Sequence, residues 1–371
     1  MIDAIGIVNF EDSSVNVKGM SDFRSIPAMS FLGRYRIIDF TLSNMVNSGI
    51  DELSVLVKNK PRSLIEHLGN GSNYNINLKS GYLNILYTDN NAMSDAYFHD
   101  IYVMHSNIEK FQESNAKYVV ISPSYMIYRI NYNDVIRAHE ESGADITCVY
   151  QEVNNANQKY IGCKTIDLDK NGVVTAIGRN KGNKKSANIL TETYVIDREL
   201  FVDLVEKAPV ISPLYSLIDV ITSVVDSLKV CGYEHKGYLA CINSLEEYYD
   251  ANMEMIDYEK ATELFDPDWP IYTKTNDSQP AFYSKNAHAK NCLIANGCII
   301  NGDLENCICG RGVTVGKGAV IKNTLLLPEC YIAPMAHIEN AVIDKHSSVE
   351  RKLEIIGKDG KLAYVKRRDR V

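Results

Sequence analysis

The sequence predicts an α/β domain followed by a parallel β-helix, and three observations support this fold class. Over the first 260 residues, short apolar runs alternate with amphipathic stretches, which predicts a mostly parallel sheet with helices on both faces. From about Tyr283 the helical periods end, and aliphatic residues recur at a spacing of six. Between them, residues 261–282 contain Pro267, Trp269-Pro270 and Gln279-Pro280, which is typical of a linker. The predicted organisation is therefore an α/β domain at 1–260, a linker at 261–282 and a β-helix at 283–371.

The elements of the first domain follow from hydrophobic periodicity. In Gly33–Ile50, Ile38, Leu42 and Met45 form one apolar stripe, while Ser43 and Asn44 beside it need hydrogen-bond partners if they are buried. Further helices are predicted at 63–68, 94–113, 133–142, 198–207, 212–228 and 244–258. Strands are predicted at 4–10, 52–57, 82–87, 117–122, 145–150, 190–196 and 238–242, with a hairpin at 165–180 around Asn171-Gly172.

The second domain is predicted from its six-residue repeat. Pairs such as Ile294 and Ile300, or Ile332 and Ile338, are six residues apart, with Gly and Asn between the aliphatic positions. This pattern is typical of a parallel β-helix in which the aliphatic side chains point inward. The phase breaks at 303–311 and near Pro328, which predicts outward loops or uneven coils. We expect the faces of this domain to carry assembly with other subunits.

Composition excludes several classes of partner. The chain has 371 residues and a formal net charge of −8, which argues against nucleic acid or an anionic membrane as the main partner. No apolar run approaches the ~20 residues of a membrane span, and no signal peptide is evident. The chain has nine cysteines, an odd number, and six of them sit beside apolar residues in strand-like runs: Cys148, Cys163, Cys292, Cys298, Cys307 and Cys309. These six are expected to be free buried thiols in a reducing cytoplasm, and the spacing of Cys307 and Cys309 does not fit a CxxC zinc or redox pair.

Three strings resemble the ADP-glucose pyrophosphorylase family. They are GRYRIIDFTLSNMVNSGI at Gly33–Ile50, IYRINY at Ile127–Tyr132 and YYDAN at Tyr248–Asn252. The resemblance is strongest to the diverged second subunit that accompanies the catalytic one in some Gram-positive bacteria. It implies a nucleotidyltransferase-like (Rossmann-like) domain, a left-handed β-helix of hexapeptide repeats, and a heterotetramer that makes ADP-glucose and diphosphate from ATP and glucose 1-phosphate for glycogen synthesis.

The loop that binds the nucleotide in catalytic members of that family has different residues here. Phosphates need glycines for close approach of the backbone, together with cations. Strand one instead continues into Asn9, Phe10, Glu11 and Asp12, and Ile26 stands where the family has the lysine of its Lys-Pro pair. One contact at ~4 Å between a phosphate and the carboxylate of Glu11 or Asp12 costs about 4 kcal/mol at an effective dielectric of ~20. We therefore expect no nucleotide site in this loop.

The resemblance also places neutral residues at both positions of the family's magnesium-binding aspartates. These positions are Ser124, after a central strand, and Cys241, before the helix that begins near Ser244. Mg²⁺ prefers hard oxygen ligands, so a thiol is a poor substitute. Lys181 and Asp95 are the remaining candidates for contacts with the sugar phosphate and the nucleotide sugar.

The residues therefore predict a folded subunit without catalytic residues, without a metal site and without a cofactor of its own. Mg²⁺ would belong to a catalytic partner in a hetero-oligomer, expected to be a tetramer; a homo-oligomer of this chain alone is a further expectation. Two alternatives stay open. One is a weakly active glucose-1-phosphate adenylyltransferase, and the other is a stand-alone sensor of sugar phosphates.

Overall fold

The structure, a computed structural model, describes residues 3–10, 15–58, 60–77, 79, 81–87, 99–212 and 215–371. The chain divides into two compact units that are each discontinuous in sequence. The first unit comprises Met1–Val15, Ile38–Cys241 and Pro267–Tyr272, and the second comprises Asn16–Ile37, Ile242–Asp266 and Thr273–Val371. The domain boundaries expected from the sequence stay a prediction, because the units do not follow chain order.

The part of the chain that precedes the β-helix contains both helices and strands. They are β1 (Ala4–Asn9), β2 (Ser30–Phe31), β3 (Tyr35–Arg36), α1 (Ile37–Asn47), β4 (Glu52–Leu56), α2 (Arg62–Leu68), β5 (Tyr82–Leu86), α3 (Asp100–Ser106), α4 (Ile108–Gln112), β6 (Tyr118–Pro123), β7 (Met126–Tyr128), α5 (Tyr132–Ser142), β8 (Ile146–Val153), β9 (Lys164–Leu168), β10 (Val174–Arg179), β11 (Ala187–Asp197), α6 (Arg198–Ile211), α7 (Leu217–Val224), β12 (Val230–Glu234), β13 (Leu239–Cys241), α8 (Leu245–Glu254) and α9 (Tyr258–Leu264).

A nine-stranded sheet forms the centre of the first unit. Its main path runs β10-β9-β11-β6-β1-β4-β5, with β8 beside β11 and β12 beside β8. Strands β5, β4, β1 and β6 are mutually parallel, whereas β11 runs antiparallel to both β6 and β8. The buried apolar runs of β1 and β6 explain their central position, since a strand covered on both faces needs apolar residues throughout. The predicted α/β class is confirmed.

Helix α1 confirms the apolar stripe that its sequence predicts. Ile38, Leu42 and Met45 are fully buried. The helix begins at Ile37, four residues later than predicted, because β2 and β3 form a short hairpin whose turn includes Gly33 at φ +69°. A positive φ is a conformation that glycine adopts at little cost.

The two polar residues of α1 are buried and hydrogen-bonded within the first unit. Ser43 Oγ accepts a bond from the backbone N–H of Tyr272 at 2.8 Å. Asn44 donates to the carbonyl of Tyr128 at 2.9 Å and accepts from the indole N–H of Trp269 at 3.0 Å. These bonds hold the Pro267–Tyr272 segment on the first unit.

Several predicted helices differ from the observed ones. The described part of the predicted helix at 94–113 is two helices, α3 and α4, interrupted at Asn107, whose side chain donates to the carbonyl of Val103 at 2.8 Å. Such local side-chain bonds compete with helix continuation. The helix predicted at 212–228 is α7, which begins after a capping box formed by Ser216 and Asp219. Helix α9, at the start of the predicted linker, was not predicted.

The C-terminal part of the second unit is a parallel β-helix. Its strands are β14 (Phe282–Tyr283), β15 (His288–Ile294), β16 (Ile299–Ile300), β17 (Asp303–Cys309), β18 (Thr314–Val315), β19 (Val320–Leu326), β20 (Tyr331–Ile332), β21 (His337–Ile343), β22 (Ser348–Val349), β23 (Glu354–Ile356) and β24 (Ala363–Val365). One sheet stacks β14-β16-β18-β20-β22 and the other β15-β17-β19-β21-β23, all parallel. The pairing is that of a left-handed β-helix of hexapeptide repeats.

The coils of this β-helix are uneven in length, as the phase breaks predict. Ile300 pairs with Val315, Val315 with Ile332, and Ile332 with Val349, so successive coils span 15, 17 and 17 residues. All four side chains are fully buried. The residues at 303–311 accommodate the shorter coil as strand β17 rather than as an outward loop.

A ladder of asparagines runs along one corner of the β-helix. Asn291, Asn306, Asn323 and Asn340 all have positive φ, and each side chain donates to the next, at 2.7, 3.1 and 3.3 Å in turn. Asparagine tolerates the left-handed conformation better than other side chains do. The ladder therefore combines the backbone turn of each coil with a hydrogen bond to its neighbour.

Candidate functional site

The ends of strands β1 and β6 lie side by side at the carboxyl edge of the parallel part of the sheet. Asn9 pairs with Pro123, and the backbone N–H of Ser124 donates to the carbonyl of Asn9 at 2.8 Å. In open α/β sheets, ligands bind at this edge. The structure therefore brings two of the predicted positions, Asn9 and Ser124, together where a nucleotide would be expected.

Asn9 and Phe10 are engaged with the protein itself. The Asn9 amide donates to Asp100 Oδ2 at 2.6 Å, and Phe10 is buried in the core of the first unit with the Lys58 ammonium 5.8 Å from its ring centroid. These contacts anchor the two positions in the fold. Glu11, Asp12 and Asp95 lie outside the described residues, so their predicted roles stay predictions.

Asp100 is a buried carboxyl near this edge that sequence reasoning missed. Its Oδ1 accepts from the backbone N–H groups of Ile101, the second residue of α3, at 2.8 Å and of Leu217, the first residue of α7, at 2.9 Å. Burial raises the pKa of Asp100, although the bonds from Asn9 and these two N–H groups act against it. Asp100 thus caps two helices, and its position in the first turn of α3 is the signal that could have identified it.

The two predicted counterparts of the metal-binding aspartates are also close in the fold. Cys241 pairs with Met126, two residues after Ser124, because β13 runs antiparallel to β7. Ser124 is 3% exposed and Cys241 is 1% exposed. The Cys241 sulfur accepts a bond from the Cys163 thiol at 3.1 Å, a contact that the sequence spacing does not reveal.

These groups do not fit a divalent cation such as Mg²⁺. A hydroxyl and a thiol replace the carboxylates that Mg²⁺ prefers. Across the described ranges, no group of three or more His, Cys, Asp or Glu side chains is arranged to hold a metal ion. No step that depends on Mg²⁺ follows from these residues.

A carboxylate, Glu192, and a buried phenol, Tyr125, lie near Cys241. Tyr125 is buried beside Glu192, Cys241 and Cys163, and burial, reinforced by the Glu192 carboxylate, raises the pKa of Tyr125 well above its usual value. The phenol therefore stays protonated at neutral pH. It can donate a hydrogen bond there, but it cannot act as a base.

A buried network of hydroxyl groups lies on the same strands. Ser122 Oγ is 2.9 Å from the Tyr128 hydroxyl and accepts from the Tyr132 hydroxyl at 3.0 Å. Thr193 Oγ1 bonds to Tyr128 and lies 3.2 Å from Ser122 Oγ. Because each member has partners inside the network, these hydroxyls contribute rigidity at the strand ends.

Two buried polar atoms at this edge stand apart from that network. Asn9 Oδ1 and Ser124 Oγ are both inaccessible to solvent and have no hydrogen-bond partner among the residues that the structure describes. Buried polar groups are nearly always paired, with protein, ordered water or a ligand. The two atoms therefore mark the place where a polar molecule would find an acceptor and a hydroxyl.

The remaining predicted positions are not brought to this edge by the described contacts. Lys181 is exposed and follows Asn180, whose buried side chain donates to the carbonyls of Ala156 at 2.7 Å and Tyr160 at 3.0 Å. Ile26 is buried in a short 3-10 turn, Ile26–Ala28, of the second unit. An aliphatic side chain there cannot replace a phosphate-binding lysine.

The comparisons with known proteins cover both parts of the chain. The family model described as "Nucleotidyl transferase" matches residues 17–257, and the model "GlmU-like, C-terminal hexapeptide" matches residues 279–367. The glycogen biosynthesis protein GlgD of Bacillus subtilis is 31% identical over 353 residues, which span 95% of this chain and 92% of that protein. The chain belongs to the glucose-1-phosphate adenylyltransferase family.

Members of this family with two different names are similar to the chain. The GlgD protein of Geobacillus stearothermophilus is 32% identical over 85% of this chain and 82% of its own length. The glucose-1-phosphate adenylyltransferase of Clostridioides difficile is 30% identical over 81% of this chain and 79% of its own length. Identity alone therefore does not separate the two kinds of family member, and the residues at the strand ends must decide.

The second unit contains a buried charge cluster that sequence reasoning also missed. Arg24 Nη2 lies 2.6 Å from Asp344 Oδ1, with 2% and 0% of the two side chains exposed. The Tyr364 hydroxyl donates to Asp344 at 2.8 Å. Burial, together with the charges of Arg36 and Arg24, lowers the pKa of Lys345 well below its usual value. Asp344 thus lies among several basic groups in this cluster.

Proposed function

We propose that this chain is a non-catalytic, regulatory subunit of glucose-1-phosphate adenylyltransferase in glycogen biosynthesis. It would act by assembling with a catalytic paralogue that makes ADP-glucose and diphosphate from ATP and glucose 1-phosphate. The family membership and the names of its relatives, GlgD and glucose-1-phosphate adenylyltransferase, support the pathway and the reaction.

The observation that carries the proposal is the pair of neutral side chains at Ser124 and Cys241. Both are buried, Cys241 on β13 and Ser124 in the bend between β6 and β7, where the resemblance places two magnesium-binding aspartates. Nucleotidyl transfer needs a divalent cation to neutralise the charge of the leaving diphosphate, and losing its ligands costs orders of magnitude in rate. Ile26 adds a third loss, because it cannot supply a positive charge to phosphate.

The partner and the site of action follow from this assignment. The subunit needs no cofactor of its own, and Mg²⁺ is held by the catalytic partner in a hetero-oligomer, proposed to be a tetramer in the cytoplasm. None of the helices in the described parts of the chain has both the length and the apolar composition that a bilayer crossing requires. A neighbouring subunit can bias its partner's conformational equilibrium by ~1–3 kcal/mol, which is ~5–150-fold in apparent affinity.

The proposal is tested by co-expression with a catalytic paralogue from the same source. We expect the two chains to co-purify, and the mixed oligomer to differ from the catalytic homo-oligomer in substrate KM or in its response to activators. The Glu11→Gln, Asp12→Asn variant of this chain is the matched control, and it should preserve that difference. If the control loses the whole kinetic effect while sizing shows intact assembly, regulation acts through the loop that contains Glu11 and Asp12 instead of through subunit contacts.

A stand-alone sensor of sugar phosphates is the second candidate, and it is favoured by Asn9 Oδ1 and Ser124 Oγ, which have no hydrogen-bond partner among the described residues. A ligand that binds the folded chain and not the unfolded chain raises its melting temperature, by an amount that grows with the ratio of ligand concentration to Kd. Thermal-shift measurements with glucose 1-phosphate, other hexose phosphates, ATP and ADP-glucose separate the candidates. A regulatory subunit is not stabilised by these compounds without its partner, whereas a sensor is stabilised by at least one of them.

A further inference from the structure

One cysteine differs from the others in its access to solvent. All nine cysteines are described and none is in a disulfide bond; eight are buried, and Cys292 alone is half-buried. Cys292 lies on β15, the edge strand of its sheet, at the first coil of the β-helix. It lines a cavity of about 570 Å³ together with Ile256 and Tyr283. A small oxidant can therefore reach this sulfur.

A second cysteine lies directly behind it. Cys292 pairs in register with Cys307 of β17, and Cys307 is fully buried. The preceding residues of the two strands, Asn291 and Asn306, are joined by a side-chain hydrogen bond of 2.7 Å, which holds the coils together at this point. Paired strands are ~4.8 Å apart, within the ~4.4–6.8 Å range of Cα separations that a disulfide spans.

The electrostatics of the pair favour attack by Cys292. The neighbouring Cys307 thiol lowers the pKa of Cys292 to about 7, against the opposing effect of burial. The proximity of Cys292 and burial raise the pKa of Cys307. Because the thiolate is the reactive form, Cys292 is partly activated at neutral pH while Cys307 remains a thiol.

We propose that Cys292 is an oxidation site that forms an intrachain disulfide with Cys307 in the presence of hydrogen peroxide. The Cys292 thiolate attacks one peroxide oxygen, which becomes bonded to sulfur as a sulfenic acid, while the other oxygen leaves and is protonated to water. The Cys307 sulfur then attacks the sulfenic sulfur, and the second oxygen leaves as water with the Cys307 proton. Two electrons pass from the two sulfurs to one peroxide.

The first test counts accessible thiols in the full-length folded chain. A chromogenic disulfide reagent should modify one thiol rapidly, and all nine after denaturation. The Cys292→Ser variant should lose the rapid phase, with a rate of first-thiol modification at least about tenfold lower. A rapid phase that persists in this variant would overturn the proposal.

The second test identifies the bond formed with hydrogen peroxide. Trypsin leaves Cys292, Cys298, Cys307 and Cys309 in one fragment, so cleavage after Glu305 is also needed to separate the first two from the last two. We expect an intact mass lower by two hydrogen atoms and a link between the resulting peptides. The link should survive Cys298→Ser and Cys309→Ser but not Cys292→Ser. A link that depends on Cys298 or Cys309 contradicts the proposal.

An internal comparison and a trapping variant complete the test. Cys163 and Cys241 have sulfurs 3.1 Å apart, yet both are buried, so this pair should remain reduced at the peroxide dose that links Cys292 to Cys307. If the Cys163–Cys241 bond forms first, access does not govern oxidation and the proposal is wrong. In Cys307→Ser the sulfenic acid should accumulate and react with dimedone. Absence of both the wild-type link and the dimedone adduct would also refute it.

Discussion

The buried ion pair between Arg24 and Asp344 gives the sharpest prediction for stability. Asp344→Asn keeps the shape of the side chain but removes the charge that lies 2.6 Å from Arg24, in surroundings where both side chains are almost fully buried. Breaking a buried pair in this way costs ~3–5 kcal/mol, because one charge is left without a partner. For a unit of about 150 residues, 1 kcal/mol shifts the melting temperature by ~2–4 °C, so we expect a loss of ~6–20 °C.

The assay is differential scanning calorimetry of the whole chain, with Asp203→Asn as the matched control. Asp203 pairs with Lys207 at 2.6 Å, but the two side chains are 48% and 64% exposed, so the control should lose ~0.5 kcal/mol or less. Replacing both buried partners, in Arg24→Met with Asp344→Leu, should recover most of the loss. If Asp344→Asn melts within a degree or two of the control, the buried pair does not stabilise the second unit.

Three further predictions follow from other described residues. Because the pKa of Lys345 is lowered in the folded chain, the unfolded chain binds more protons, and the free energy of unfolding should rise as pH increases from the folded-state pKa to ~10.4. The Lys345→Met variant should flatten that slope in urea unfolding measured at a series of pH values. Asn306→Ala should lower the free energy of unfolding by ~2–4 kcal/mol, because it removes two ladder bonds and places alanine at a positive φ. Asn306→Gly removes the same bonds without the backbone strain and should cost about 1–2 kcal/mol less. Equal losses for the two variants in denaturant unfolding would mean that backbone strain is not involved. Cys241→Asp should not restore ADP-glucose synthesis, because Ser124 and Ile26 remain; activity above a mock preparation in a magnesium-dependent assay would contradict this.

Features that depend on local pattern were predictable from the sequence. The apolar stripe of α1 and the inward aliphatics of the β-helix follow from periodicity, which reports burial directly. The need of Ser43 and Asn44 for partners was also predictable, since a polar residue beside an apolar stripe must be paired when buried. Their partners, Tyr272 and Trp269, were not, because they lie more than 220 residues away and no local signal connects them.

The division of the chain into units could not be predicted from chain order. Residues 16–37 and 242–266 join the β-helix in the second unit through contacts that are remote in sequence. Arg24 and Asp344 are 320 residues apart, and the Tyr249 hydroxyl donates to the carbonyl of Asn323 at 2.7 Å across 74 residues. Deleting the chain after Pro280 would therefore remove the partners of both segments, so it would not test the role of the β-helix in assembly cleanly.

The candidate site was predictable in its positions but only partly in its surroundings. The resemblance singled out Asn9, Ser124 and Cys241, and the strand pairings place them at one edge of the first unit. The neighbours that define their chemistry, Asp100 and Cys163, were missed because they come from separate loops and helix starts. Their roles depend on tertiary proximity, which a pattern along one chain does not encode.

The proposed regulatory role requires that this chain lacks independent catalysis and acts on a catalytic partner. The most direct measurement is the initial rate of magnesium-dependent ADP-glucose formation from ATP and glucose 1-phosphate, for this chain alone, for the partner alone and for the co-purified mixture. The neutral groups at Ser124 and Cys241 predict no rate above a mock preparation for this chain alone, and a KM or activator response of the mixture that differs from the partner's. Turnover by this chain alone, or a mixture identical to the partner in every kinetic parameter, would contradict the proposed regulatory role.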